Sequence, residues 1–139
     1  MFSLMIRRDG LIEPPAMTAR DAHCHIIPGI DDGAKDDQSA LAIAQLLCEM
    51  GVRQVVATPH VISDLYPNTT AGILAGADRL RSLLEASKID LEVVPGAEYY
   101  AEGAFLTRID KGDLLAFGEE KFVLFESPVE YQPMVLEEI

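Results

Sequence analysis

The sequence predicts an α/β fold in which parallel strands are joined by helical crossovers. Runs of β-branched residues alternate with segments of helical periodicity, and a histidine or carboxylate stands at or just beyond the end of several runs. The chain has 139 residues, 49% hydrophobic and 24% charged, which is typical of one globular domain with a real core. We therefore expect polar residues to gather where the strands end.

The first predicted strand covers residues 19–25, where apolar residues alternate with His23 and His25. A period of two places both histidines on one face of that strand. Residues 1–17 are predicted to be an N-terminal segment peripheral to the domain (the lead-in), and Met17 is a second candidate for the first residue of the protein. Their opening apolar stretch is too short for a signal peptide or a membrane span, so neither export nor membrane insertion is predicted.

Helices and further strands then alternate along the chain. Helices are expected where apolar residues recur at helical spacing next to capping residues: from Asp36 or Asp37 to Gly51, from Asn68 or Thr69 to about Ser87, a short one at 104–109, and the start of another at 133–139. A buried strand is expected at the β-branched run 52–58, and further strands at the apolar runs 91–95 and 121–125. Parallel strands that alternate with helices can close into a barrel, which needs about 250 residues. The chain therefore supplies roughly four of the seven or eight strand–helix units of such a barrel.

The charge and the cysteines exclude several classes of function. A net charge of -12 argues against nucleic acid as a partner, because phosphate backbones are bound by surplus Lys and Arg. The two cysteines are too few for a disulfide framework, which predicts a reducing cytoplasm. Neither cysteine begins a C-x5-R phosphatase motif, and the glycine-rich nucleotide loops GxxxxGK[ST] and GxGxxG are absent.

The polar residues at the strand ends form a mixed nitrogen and oxygen set that suits a metal site. The candidates are His23, His25, either Asp31 or Asp32, His60, Glu98 and Glu126. Such a set suits manganese, iron or zinc better than calcium or copper, and manganese is our first choice. Two or more such ions can polarise a phosphoryl oxygen and neutralise the leaving oxygen, which predicts hydrolysis of a phosphate ester.

The order of short motifs resembles the polymerase-and-histidinol-phosphatase (PHP) superfamily, and within it the bacterial capsular polysaccharide biosynthesis protein-tyrosine phosphatases. The matching blocks are D-x-H-x-H at 21–25, PGIDDGA at 28–34, TPH at 58–60, Tyr66-x-Asn68, PGAE at 95–98 and FESP at 125–128. The resemblance extends from about Ala19 to the end of the chain.

This resemblance implies a domain at 18–139 that forms a partial PHP-type (β/α) barrel, about four units of a seven-stranded, distorted TIM-like barrel. It implies a manganese-dependent phosphatase acting on phosphotyrosine of a bacterial tyrosine kinase that controls capsule or exopolysaccharide synthesis. The complete family fold would hold two or three ions. Carried over residue by residue, the ligand positions are His23, His25, Asp32, His60, Glu98 and Glu126. The choice of Asp32 over Asp31 comes from the resemblance alone.

The resemblance covers only the first half of the family pattern. A later histidine followed by Pro-Glu-Arg, and a final Asp-x-His pair, have no counterpart before Ile139. We therefore expect weak metal affinity, impaired activity and a tendency to self-associate through the incomplete barrel. Two alternatives stay open: a histidinol-phosphate or other small phosphoester hydrolase, and a non-catalytic remnant that binds one ion or packs against a partner protein.

Overall fold

The computed structural model describes residues 19–127 and, as backbone only, residues 6–7 and 10–11. Its strands are β1 (Ile6–Arg7), β2 (Gly10–Leu11), β3 (Ala19–Cys24), β4 (Val52–Ala57), β5 (His60–Val61), β6 (Glu92–Pro95), β7 (Glu98–Tyr100) and β8 (Leu124–Glu126). Its helices are α1 (Asp37–Glu49), α2 (Thr70–Ala86) and α3 (Gly103–Lys111). The helix expected at 133–139 and most of the lead-in lie outside the described residues.

Six strands form two parallel sheets of three strands each, in the orders β3-β4-β6 and β5-β7-β8, and β1 and β2 form a separate antiparallel pair. The parallel α/β arrangement predicted from the sequence is thus confirmed. The second and third predicted strands correspond to β4 and β6. Each is followed, after a two-residue break, by a further short strand that was not predicted: β5 after Thr58 and Pro59, and β7 after Gly96 and Ala97. Hydrogen bonds cross both breaks: Gly96 N donates to Ala57 O at 2.8 Å, and Glu98 N to Pro59 O at 3.0 Å.

The fourth predicted strand begins later than residue 121. Lys121 has a left-handed φ of 57° and belongs to a turn in which Phe117 bridges Phe122. A strand cannot run through that conformation, so β8 starts at Leu124 and includes Glu126.

The three predicted helices that fall within the described residues are confirmed, and the structure shows how each begins or ends. Asp36 caps α1 in a reciprocal pair with Ser39, and Thr69 caps α2 by accepting a hydrogen bond from Gly72 N. Gly112, at a φ of 64°, ends α3. Within the described residues, no helix combines the length and apolar character needed to cross a bilayer.

The hydrophobic core lies between the β3-β4-β6 sheet and the helices that cover it. One face of α2 supplies fully buried side chains at helical spacing: Ile73, Ala77, Leu80 and Leu84. They join sheet residues such as Val55 and Val93, which are also buried. Burying a side chain of Leu or Ile size stabilises the fold by about 1.5–3 kcal/mol, so this layer holds the strand ends in place.

Candidate metal centre

The structure brings all six predicted ligand residues to one end of the parallel strands. The residues are His23 and His25 at the end of β3, Asp32 in the following loop, His60 opening β5, Glu98 opening β7 and Glu126 closing β8. His60 and Glu98 are direct register partners between β5 and β7. Parallel pairing therefore sets an imidazole beside a carboxylate.

Glu98 lies at the centre of the cluster. Its Oε2 atom is 3.3 Å from His23 Nε2, 3.2 Å from His25 Nε2 and 3.1 Å from His60 Nδ1. The side chain is 8% exposed, and neither Glu98 Oε2 nor His60 Nδ1 makes a hydrogen bond to any described residue. These contacts have ion-pair distances without hydrogen-bond geometry, which leaves two buried polar atoms unsatisfied.

Asp32 and Glu126 form the exposed rim of the same cluster. Asp32 Oδ1 lies 3.6 Å from His60 Nε2 and 3.8 Å from His25 Nδ1, and Glu126 Oε2 lies 3.7 Å from His60 Nδ1. Their side chains are 62% and 43% exposed. The site thus has a buried centre and one side open to solvent.

A divalent cation fits these donor atoms. Three overlapping groups each place three potential ligand atoms within 4.8 Å of one another: His23, His25 and Glu98; His25, Asp32 and His60; and His60, Glu98 and Glu126. A cation would also compensate the unsatisfied atoms of Glu98 and His60, which otherwise carry a desolvation cost. Mixed imidazole and carboxylate ligands suit first-row divalent metals.

Asp31, which the residues alone left as a ligand candidate equal to Asp32, has a different environment. Its carboxylate has no exposed surface and accepts hydrogen bonds from His25 Nδ1 at 2.8 Å, Gly33 N at 3.0 Å and His60 N at 3.1 Å. Burial works to raise the pKa of Asp31, but these hydrogen bonds outweigh it and lower that pKa. The hydrogen bond that His25 donates to Asp31 is the main cause that raises the pKa of His25, against the lowering effect of burial.

The spacing of Asp31 and Gly33 in the sequence is a signal that the Asp31 side chain is held within its own loop. The bond from Gly33 N to Asp31 Oδ1 closes an Asx turn, the local structure expected of Asp two residues before a glycine. A Cβ atom at Gly33 would lie 2.1 Å from His25 O, so only glycine lets the loop return this closely to His25. The first Asp of the doublet is thereby buried and the second left at the rim.

Asn68 and Tyr66 hold His60 from the other side. The Asn68 side-chain amide donates to His60 O at 2.8 Å and to Ile30 O at 2.9 Å. The Tyr66 ring stacks on the His60 imidazole, with centroids 5.6 Å apart and planes 9° from parallel. The backbone of His60 is therefore fixed to the loop that carries Asp31 and Asp32.

Cysteine chemistry does not fit this site. Burial, with smaller effects of the Asp21 and Asp31 charges, raises the pKa of the Cys24 thiol to about 11. The thiol is then protonated near neutral pH and is a poor nucleophile. Cys24 and Cys48 are both free thiols.

The chain resembles known proteins along the same segment. A family model described as "Capsular polysaccharide synthesis, CpsB/CapC" matches residues 19–137. Tyrosine-protein phosphatase YwqE of Bacillus subtilis is 34% identical over 119 residues, which are 86% of this chain and 47% of YwqE. Tyrosine-protein phosphatase CpsB of Streptococcus pneumoniae is 26% identical over 106 residues, 76% of this chain and 44% of CpsB.

Structural similarity agrees with the sequence match. The fold superposes with a TM-score of 0.78 and 34% identity on a crystal structure from work on YwqE of B. subtilis and CpsB of S. pneumoniae, described there as unique metal-dependent tyrosine phosphatases. The match covers 86% of this chain and 49% of the other. The chain thus spans about half the length of the relatives it matches.

Proposed function

The chain belongs to the CpsB/CapC family of capsular polysaccharide synthesis proteins, and we propose on that premise that it functions as a metal-dependent protein-tyrosine phosphatase. The observation that carries the proposal is the convergence of three imidazoles on one buried, unsatisfied oxygen of Glu98. Glu98 Oε2 and His60 Nδ1 lack a hydrogen-bond partner among the described residues, and a bound cation would compensate both. The relatives named above as tyrosine-protein phosphatases support the same interpretation.

The residues proposed to hold the ions are His23, His25, Asp32, His60, Glu98 and Glu126. Mn²⁺ is the proposed metal, with Fe²⁺ or Zn²⁺ as alternatives, and two or three ions are proposed for the complete fold. When bound, such ions supply Lewis acidity to phosphoryl oxygens and offset negative charge on the leaving phenolate.

The charges of the site explain why a phosphate ester would need those ions. Asp31, Asp32, Glu98 and Glu126 surround the cluster, so a phosphate dianion that approaches the metal-free site meets carboxylates. The open side between Asp32 and Glu126 is the proposed entrance for the substrate. Three imidazole nitrogens from two segments converge on buried Glu98 in the metal-free chain, which preorganises the site before any substrate arrives.

The proposed substrate is phosphotyrosine in a protein, in particular a bacterial tyrosine kinase that controls capsule or exopolysaccharide synthesis. We further propose that the two parallel sheets are about four units of a seven-stranded PHP-type barrel, with residues 18–139 as the domain and 1–17 peripheral. The parallel order of the strands and the shared position of the polar residues at their ends support this architecture. The two free thiols suit a cytoplasmic location.

Phosphatase assays with a matched pair of variants test the proposal. Glu98→Gln removes the central carboxylate, whereas Glu92→Gln removes an exposed carboxylate of β6 that accepts a hydrogen bond from Gln54 at 2.6 Å. With Mn²⁺ added, wild type and the Glu92 variant should release phosphate from a phosphotyrosine peptide, at the reduced rate expected of a chain that spans about half of its relatives, and the Glu98 variant should release none.

Other outcomes would identify the alternatives. Faster release from histidinol phosphate than from the phosphotyrosine peptide would indicate a small phosphoester hydrolase. Mn²⁺ binding without turnover of either substrate would indicate an ion-binding interaction fragment. If wild type neither binds Mn²⁺ nor releases phosphate, the proposal is wrong.

A further inference from the structure

We propose that Asp31 is a positioning residue, which determines the nitrogen that His25 offers to an ion and holds His60 next to it. The inference deepens the proposed function because it rests on the same metal site. It concerns a residue that is not itself among the six proposed ligands.

The first step is the complete burial of the Asp31 carboxylate. Its side chain has no exposed surface, and its two oxygens accept three hydrogen bonds, from His25 Nδ1, His60 N and Gly33 N, at 2.8, 3.1 and 3.0 Å. The neighbouring Asp32 side chain is 62% exposed and faces the imidazoles at 3.6 and 3.8 Å. Asp31 is therefore engaged with the protein, and Asp32 is the carboxylate directed to the site.

The second step concerns the position of the hydrogen on His25. The backbone N–H groups of Gly33 and His60 can only donate, so both Asp31 oxygens act as acceptors, as an ionised carboxylate does. The imidazole must then donate from Nδ1. A neutral ring has a single N–H, so Nε2 retains its lone pair; this atom lies 3.0 Å from His23 Nε2, from which it can accept a hydrogen bond, and 3.2 Å from Glu98 Oε2.

The third step links the two histidine-bearing segments. A single Asp31 atom, Oδ2, accepts from both His25 Nδ1 and His60 N. The two rings are neighbours, with centroids 4.5 Å apart and planes tilted by 60°. A shift of Asp31 would move the end of β3 and the start of β5 relative to each other, which would separate their nitrogens.

The direct test is the tautomer of His25 in the metal-free chain. Long-range nitrogen–proton NMR spectra of the ¹⁵N-labelled protein, recorded at a pH where the rings are neutral, distinguish Nδ1–H from Nε2–H. We expect His25 as the Nδ1–H tautomer. The Nε2–H tautomer would overturn the proposal, and this measurement requires neither a variant nor an enzyme assay.

A pair of adjacent variants separates positioning from ligation. Asp31→Ala should weaken Mn²⁺ binding about 10- to 100-fold, the usual effect of losing a hydrogen-bond partner of a metal ligand, and should raise the share of Nε2–H at His25. Asp32→Ala should weaken Mn²⁺ binding while His25 stays Nδ1–H. Calorimetry with Mn²⁺ alone measures the affinities.

Two results would contradict the inference: Mn²⁺ affinity of wild-type strength in the Asp31 variant, or the wild-type tautomer in that variant. If Asp31→Ala does not fold, the tautomer of the wild-type chain decides the matter. A wild-type chain that binds no Mn²⁺ would refute the proposed function, while the tautomer would still decide the role of Asp31.

Discussion

The layer between the β3-β4-β6 sheet and the helices differs from the cluster at the strand ends in whether its buried polar atoms are hydrogen-bonded. At the border of the layer, buried Thr58, which directly follows β4, accepts a hydrogen bond from Cys24 N at 3.2 Å through its hydroxyl, so its oxygen is satisfied within the protein. In the cluster, Glu98 Oε2 and His60 Nδ1 are buried with no hydrogen-bond partner among the described residues. Thr58 is satisfied without a ligand, whereas the unsatisfied atoms of the cluster would be compensated by a cation.

This contrast predicts that mutations in the two regions change different quantities. Apolar residues of the layer should determine the stability of the metal-free protein, because burial is their main contribution. Residues of the cluster should determine metal affinity, because their buried polar atoms contribute little until a cation compensates them. A layer variant that lowers metal affinity but not stability, or a cluster variant that lowers stability but not metal affinity, would contradict this comparison.

The largest effect on unfolding is expected from Leu80→Ala in the middle of α2. Leu80 is fully buried, so its truncation should lower the free energy of unfolding by about 3 kcal/mol. Leu74→Ala in the same helix is the control, because Leu74 is 39% exposed, and it should cost less than about 1 kcal/mol. Urea denaturation of the metal-free chain measures both. Equal losses would show that α2 does not bury the face described.

Glu98→Gln should change metal affinity strongly and stability little. We expect Mn²⁺ affinity to fall at least about 100-fold, or about 2.7 kcal/mol, while the free energy of unfolding without metal changes by less than about 1 kcal/mol. Glu92→Gln should leave both quantities unchanged, because that carboxylate lies on exposed β6 surface. Mn²⁺ calorimetry and urea denaturation provide the values. An unaltered affinity in the Glu98 variant would remove this residue from the centre of the site.

Gly33→Ala should disturb the cluster through its loop. A methyl group there would meet His25 O and Cβ at 2.1 and 2.4 Å, so the loop has to move and carry Asp31 with it. We expect Mn²⁺ affinity to fall about 10-fold, the lower end of the range for displaced ligand supports. Gly103→Ala is the control because nothing lies within 4 Å of its added Cβ. Wild-type Mn²⁺ affinity in the Gly33 variant would show that the loop tolerates displacement.

The smallest effect is expected at the start of α2. Thr69→Ala removes the side-chain acceptor for Gly72 N and should cost about 1 kcal/mol of unfolding free energy, with no change in Mn²⁺ affinity. Thr69→Ser keeps the hydroxyl and should restore most of that stability. Thermal unfolding of the two variants checks the prediction, and equal midpoints would argue against the cap.

The sequence was informative where local patterns decide the structure. Periodicity located the three described helices, and the polar residues after apolar runs located the cluster, because parallel strands bring those positions to one edge. Local patterns could not separate Asp31 from Asp32. That difference arises when the loop folds back on His25, a tertiary contact that Gly33 permits. The late start of β8 likewise depends on the left-handed turn at Lys121.

The most direct test of the account is a crystal of the chain grown with Mn²⁺ and measured for anomalous scattering at the manganese edge. We predict an anomalous peak among the imidazole nitrogens of His23, His25 and His60 and the carboxylate of Glu98. A manganese peak confined to the surface away from these residues, or no peak in well-ordered crystals, would contradict the claim that the strand ends form a cation site.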